Sequence, residues 1–281
     1  MFKLPGRSVQ AAVRAVRPWV HRTGRKRALL VCLLAIAVYV LAAPVYGERS
    51  QSANLVVYLR GGVSPRTLPR DHPTPVSVRL QAGIQTRHSI PLPRVKKISL
   101  ELAYRGALDT EGLPLCRRTQ LRALDTRHAL ATCGRSLVGR GSLYSRVFVP
   151  SQTPFGLHFS LLAFNGKTRQ GRTAIWVLAY SPNPPVSFVL PFHVHRQKGP
   201  FHTVLVSVVP PDVGTWPHFA RFNMVVARRY RFRGRVHSYL QASCPLPPRF
   251  TSGLLSLARA TYSIEGGPDL NVETVRTCRA E

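Results

Sequence analysis

From about residue 75 onward, short apolar stretches alternate with polar neighbours and stop at Pro- or Gly-bearing turns, which limits the fold more than any other feature. Val76, Val78 and Leu80 alternate in this way, as do Ile98, Leu100, Leu102 and Tyr104, with Ser99 and Glu101 on the other face. A period of two is the mark of a half-buried strand. HFSLLAFNG (158–166) and TAIWVLAYSP (173–182) are apolar on both faces and predict central strands. VSFVLPFHV (186–194) places Phe188, Leu190, Phe192 and Val194 on one side, and TVLVSVV (203–209), RFNMVVARRYRFRG (221–234) and LLSLARATYSI (254–264) follow. SPRTLP, VPSQTP, SPNPP, VPPD and EGGPD supply the turns. One segment has helical spacing: DTRHALATCGRSLVG (125–139) offers Asp125 as N-cap, then Leu130, Cys133 and Leu137, with Gly139 as a stop. The pattern predicts a mainly β chain, an antiparallel β-sandwich of about ten strands with one short helix near 125–138.

The amino-terminal stretch RKRALLVCLLAIAVYVLAAPVYGERS (25–50) is of another kind. Residues 28–46 form an uncharged run that, as a helix, spans about 28 Å, close to the hydrocarbon thickness of a bilayer. It is longer than a usual secretory core and follows a 27-residue basic segment. Lys3, Arg7, Arg14, Arg17, Arg22, Arg25, Lys26 and Arg27 precede it, and only Arg49 follows soon after, which places the amino terminus inside. The expected organisation is a basic cytoplasmic segment (1–27), a transmembrane anchor or uncleaved signal (28–46), a linker (47–53) and an extracytoplasmic β-domain (54–281). The chain is then a single-pass cell-membrane protein; the alternative is secretion after cleavage near Gly47, and both routes export the same domain.

The chain holds 40 basic against 11 acidic residues, a net charge of +29. Such a balance attracts anionic partners. Export directs attention to envelope polymers or lipid headgroups and away from nucleic acid. The competing reading is compositional: only 6 of the 40 are Lys, and a GC-rich genome favours Arg. Besides Cys32, inside the apolar run, the cysteines are Cys116, Cys133, Cys244 and Cys278. An even number in an exported region suggests two disulfides, and of the three possible pairings the local one, Cys116–Cys133 with Cys244–Cys278, is expected. Their loops are worth about 3 and just under 4 kcal/mol by chain entropy. Zinc is the weaker alternative, because there is no C-x-x-C.

LDTEGLPLC (108–116), ALATCGRSLVGRGS (129–142), LLAFNG (161–166), SFVLPF (187–192) and RRYRFRGRVHSYLQASCP (228–245) resemble, in that order, a family of exported actinobacterial proteins without an established activity. The resemblance runs from about Pro75 to the carboxyl terminus and includes all four exported cysteines and TVRTC (274–278). It implies one continuous exported domain and carries over no catalytic residue.

The motifs of zinc peptidases, phosphate-binding loops and calcium loops are absent, and no cofactor is expected. A glycosidase needs two carboxyls across one bond; the nearest pair, Asp109 and Glu111, reads as a turn. His193 and His195 share a strand face with His202 a turn away, so a copper or zinc site is conceivable. A solvated sheet face accounts for them more simply. In ARRYRFRGRVHSYL (227–240), Tyr230 and Phe232 fall on one face and Arg229, Arg231 and Arg233 on the other, with Gly234 suited to a hairpin turn. The chain is thus expected to be a non-catalytic binding or structural module of the cell envelope that meets anionic groups through these arginines. An envelope hydrolase or carbohydrate-active enzyme is the alternative, and no motif specifies a protein partner.

Overall fold

Strands carry the chain from Arg49 to Ala280 in a computed structural model that describes residues 48–87, 91–103, 105–122, 125–214 and 216–281. The basic segment and the apolar run expected to span a membrane lie outside the described residues. Among those described, no helix is long and apolar enough to cross a membrane. The strands are β1 (Arg49–Ser52), β2 (Leu55–Ser64), β3 (Thr67–Leu68), β4 (Thr74–Pro75), β5 (Ser77–Thr86), β6 (Val95–Leu102), β7 (Ala107–Leu108), β8 (Leu137–Val147) and β9 (Phe155–Lys167). They continue with β10 (Thr173–Pro182), β11 (Pro185–Arg196), β12 (Thr203–Val208), β13 (Pro217–Val226), β14 (Arg229–Phe232), β15 (Arg235–Ser238), β16 (Leu240–Ala242), β17 (Ser252–Ile264) and β18 (Leu270–Ala280).

The expected sandwich is replaced by one large curled sheet and two small ones, β14-β15 and β4-β16-β7. Thirteen strands run in the order β1-β2-β5-β13-β8-β9-β10-β11-β12-β6-β17-β18-β3, antiparallel except where β3 joins β18. Strand twist accumulates across so many strands, and a sheet this wide curls rather than staying open. Bulges between Phe219 and Arg221 and between Ser256 and Ala258 add bend where the curl needs it. The curl brings β18 beside β1 and β2. At that seam the Arg276 Nε donates to the Gly61 carbonyl at 2.6 Å, and the same guanidinium pairs with the Glu48 carboxylate. Glu48 and β1 lie in the stretch expected to be linker, so the folded sheet begins almost at the end of the apolar run.

The two doubly apolar strands are central, as their pattern predicts, because each face meets a different core. Leu157, Phe159, Leu161 and Ala163 of β9, with Ile175, Val177 and Ala179 of β10, face the large interior core. Leu162 and Phe164, with Ala174, Trp176 and Leu178, face outward into a second cluster with Cys116, Leu121, Ala129 and Cys133. That outer cover is the segment around helix α1 (Thr126–Cys133). Asp125 caps α1 as expected, its carboxylate accepting the His128 N–H at 2.7 Å. The helix is shorter than the predicted 125–138, however. It stops at Cys133, Gly134–Ser136 forms a 3₁₀ turn, and Leu137 already opens β8. Burial of Val138 and Leu143 in the interior core outweighs the helical spacing that Leu137 continues. Both expected disulfides form, Cys116–Cys133 and Cys244–Cys278, with Cα atoms 5.6 and 6.0 Å apart. The first holds α1 on the sheet, and the Trp176 indole N–H donates to the Cys116 carbonyl at 2.9 Å beside it.

Candidate functional site

The arginine ribbon folds into the expected hairpin, but Arg233, expected on the strand face with Arg229 and Arg231, lies in the turn. β14 and β15 pair from Arg229↔Ser238 to Phe232↔Arg235, and the turn residues Arg233 and Gly234 both have positive φ, 48° and 75°. A two-residue turn of that hand matches strand twist. The aromatic face is clasped to the 108–113 loop. The Tyr230 hydroxyl donates to the Glu111 carbonyl at 2.7 Å, and its ring stacks on His237 with centroids 5.4 Å apart. His237 Nδ1 lies 2.9 Å from Asp109 Oδ2, and Gln241 Nε2 donates to the same oxygen at 3.2 Å. Phe232 lies over Gly112, whose φ is +69° and where an added Cβ would come within 2.2 Å of the ring. Burial first, then the Asp109 and Glu111 carboxylates, push the Tyr230 hydroxyl up to about 12.

Asp109 is therefore spent on structure. Its Oδ1 accepts the Glu111 N–H at 3.0 Å, closing the turn, while Oδ2 holds the hairpin through His237 and Gln241. Glu111 is exposed and pairs loosely with Arg233 at 3.7 Å. The arrangement is a clasp; a glycosidase pair would aim both carboxyls at one bond. Arg229, Arg231 and Arg233 stand exposed on the hairpin, Arg233 stacked 5.0 Å over Phe232.

A second arginine surface escapes sequence inspection. On the outer face of the sheet, the ladder aligns Arg49 with Tyr58, Tyr58 with Gly83, and Gly83 with Arg221. The next row aligns Arg60 with Gln81, Gln81 with Asn223, and Asn223 with Ser142. Tyr58 lies over Gly83, where any side chain would strike its ring within 2.6 Å. The result is a polar groove of about 480 Å³ lined by three arginines, three amides, a serine, Tyr58 and Phe222. Arg60 is shared with Glu48 at 3.6 Å, and the Asn223 Oδ1 has no hydrogen-bond partner among the described residues. Guanidinium forks, amides and an aromatic edge suit sulfate, phosphate or carboxylate groups on a hydroxyl-rich polymer. Arg60 and Arg221 are far apart in sequence, and only register brings them together.

The histidines do not converge. His193 and His195 share a face of β11, and His202 sits beyond the turn, where its carbonyl accepts the Gln197 N–H at 3.0 Å. Among the described residues no three His, Cys, Asp or Glu side chains are gathered to hold a metal ion, this trio included. Burial, then the charges of His195 and Arg118, hold His193 below its ordinary range.

Fold and surface together define a disulfide-braced β-domain with arginine-rich faces. Compared with known proteins, the chain matches no family model, no curated protein and no solved structure.

Proposed function

We propose that the chain is a membrane-tethered, extracytoplasmic binding module of the cell envelope that engages anionic envelope components without catalysing a reaction. The observation that carries this reading is the groove on the outer sheet face, where Arg49, Arg60 and Arg221 from three strands share one concave polar surface. Arg229, Arg231 and Arg233 on the hairpin extend the same chemistry to a second contact. Two disulfides and the resemblance to exported actinobacterial proteins support placing the domain outside the membrane. The apolar run at 28–46 supports the tether.

Co-sedimentation of the full chain, purified in neutral detergent, with isolated host envelope tests the reading. Binding is expected at low salt and lost near 1 M, where the screening length falls to about 3 Å. Arg49→Gln with Arg221→Gln should weaken it more than Arg229→Gln with Arg231→Gln, because the groove presents its groups together. No binding at low salt, or binding indifferent to salt and to both double variants, overturns the proposal.

A further inference from the structure

One end of the curled sheet is built differently from the arginine groove. Where β8, β10 and β12 finish and β9, β11 and β13 begin, a cleft of about 610 Å³ opens. Its walls are mainly apolar, and they continue inward through Leu157 and Phe188, which belong to the interior core. Phe155, Val186 and Trp216 line it yet remain 39%, 37% and 43% exposed. Apolar side chains of this size do not gather around an open cleft by chance, since each leaves apolar surface in water at about 25 cal/mol per Å².

Two cations complete the cleft. Arg118 and Arg122 reach its wall from the 3₁₀ turn Arg118–Leu121 and the residue after it. That turn is pinned by Leu121, fully buried in the outer cluster, and by the Cys116–Cys133 disulfide beside it. The lining contains no acid, and neither arginine is ion-paired to an acid among the described residues. The Ser187 hydroxyl in the same wall lacks a hydrogen-bond partner among them.

We infer that this mouth is a lipid site: it takes the acyl chain of one anionic single-chain lipid, with the headgroup held by Arg118 and Arg122. Charge complementarity selects the occupant. A neutral chain would leave both guanidinium groups unanswered, and a sugar polymer would bury its hydroxyls against the mainly apolar wall of Phe155, Val186, Phe188 and Trp216. The cleft volume falls within the roughly 300–1,000 Å³ of sites that hold small organic ligands, and the mouths of β-barrels are a recurrent place for them. The site is separate from the polymer-binding surfaces proposed above and does not depend on them.

Photolabelling tests the assignment on the full chain in phosphatidylcholine nanodiscs. The probe is a diazirine-bearing palmitate, compared with its methyl ester, and labelled peptides are mapped by mass spectrometry. The acid should label peptides containing Phe155, Val186 or Trp216, excess palmitate should compete, and the ester should label them about ten-fold less, as loss of a charge-assisted bond implies. Arg118→Gln with Arg122→Gln should cut acid labelling about ten-fold with both disulfides intact. Val186→Arg, which obstructs the cleft and keeps both arginines, should do the same. Arg229→Gln with Arg231→Gln should leave labelling unchanged, and salt-sensitive envelope binding should survive in the Arg118/Arg122 variant, which separates this site from the polymer surfaces. Equal labelling by acid and ester, labelling confined to other peptides, or indifference to both the Arg118/Arg122 and Val186 variants overturns the inference.

Discussion

Closure of the curled sheet depends on a side chain, and replacing it measures how much. Arg276→Ala removes the Nε–H donated to Gly61 and the pairing with Glu48. A hydrogen bond from a charged donor contributes about 1.5–3 kcal/mol. The ion pair adds less than about 1 kcal/mol, because Arg276 and Glu48 keep 33% and 25% of their side-chain surface in water. The variant should therefore lose about 2–3 kcal/mol, a fall of roughly 5–10 °C in Tm for a domain of this size. Urea unfolding gives the free energy, and hydrogen exchange shows where it is lost: β1, β2 and β18 should exchange faster while β9 and β10 keep their protection. Arg276→Lys retains the charge but lacks the planar fork, so it should recover only the ion-pair part. A variant within about 0.5 kcal/mol of the parent, with unchanged exchange in β2, would refute the reasoning. It would mean that apolar packing alone holds the seam.

Replacing Cys116 and Cys133 together by Ala should cost about 3 kcal/mol in urea unfolding, since the bridge spans a sequence separation of 17 residues; a cost under about 1 kcal/mol would show that the cover over Phe164 and Trp176 holds without it. Gly141→Ala should cost about 3 kcal/mol, because its Cβ would fall 2.0 Å from the Asn223 carbonyl and push β13 off β8. Tyr230 links stability to alkaline pH. Its folded pKa near 12 lies above the ordinary 10, so its contribution is whole below pH 10 and is lost as pH rises through 12. Absorbance titration of Tyr230→Phe should lack one high-pH phenol step, and its stability should decline less between pH 10 and 12.

Local chemistry was legible in the sequence. The doubly apolar patterns of β9 and β10, the Asp125 cap and a hairpin turn at Gly234 all follow from the side chains at those positions, and the local choice among the three cysteine pairings agrees with the structure. The end of α1 was not legible, because Leu130, Cys133 and Leu137 satisfy a helical period while Val138 and Leu143 satisfy a strand. Tertiary burial decided between them. The strands β1 and β2 were hidden for a similar reason: RSQS and LVVYLRGGVS are too short or too rich in Gly to declare themselves, and they are strands because β5 pairs with β2 and β2 in turn with β1.

Alternation tells a strand which residues turn inward, but it says nothing about which strand will lie alongside. The sequence by itself determined a β-rich chain, its central strands and its hairpin, because each of those depends on neighbours close in the chain, whereas four cysteines left three pairings open. Only the tertiary structure decided that the sheet curls, that β13 inserts between β5 and β8, and that Arg49, Arg60 and Arg221 share a groove while Arg118 and Arg122 meet Phe155 and Trp216 at an open mouth. Those choices rest on accumulated strand twist and long-range register, and neither is written at any single position.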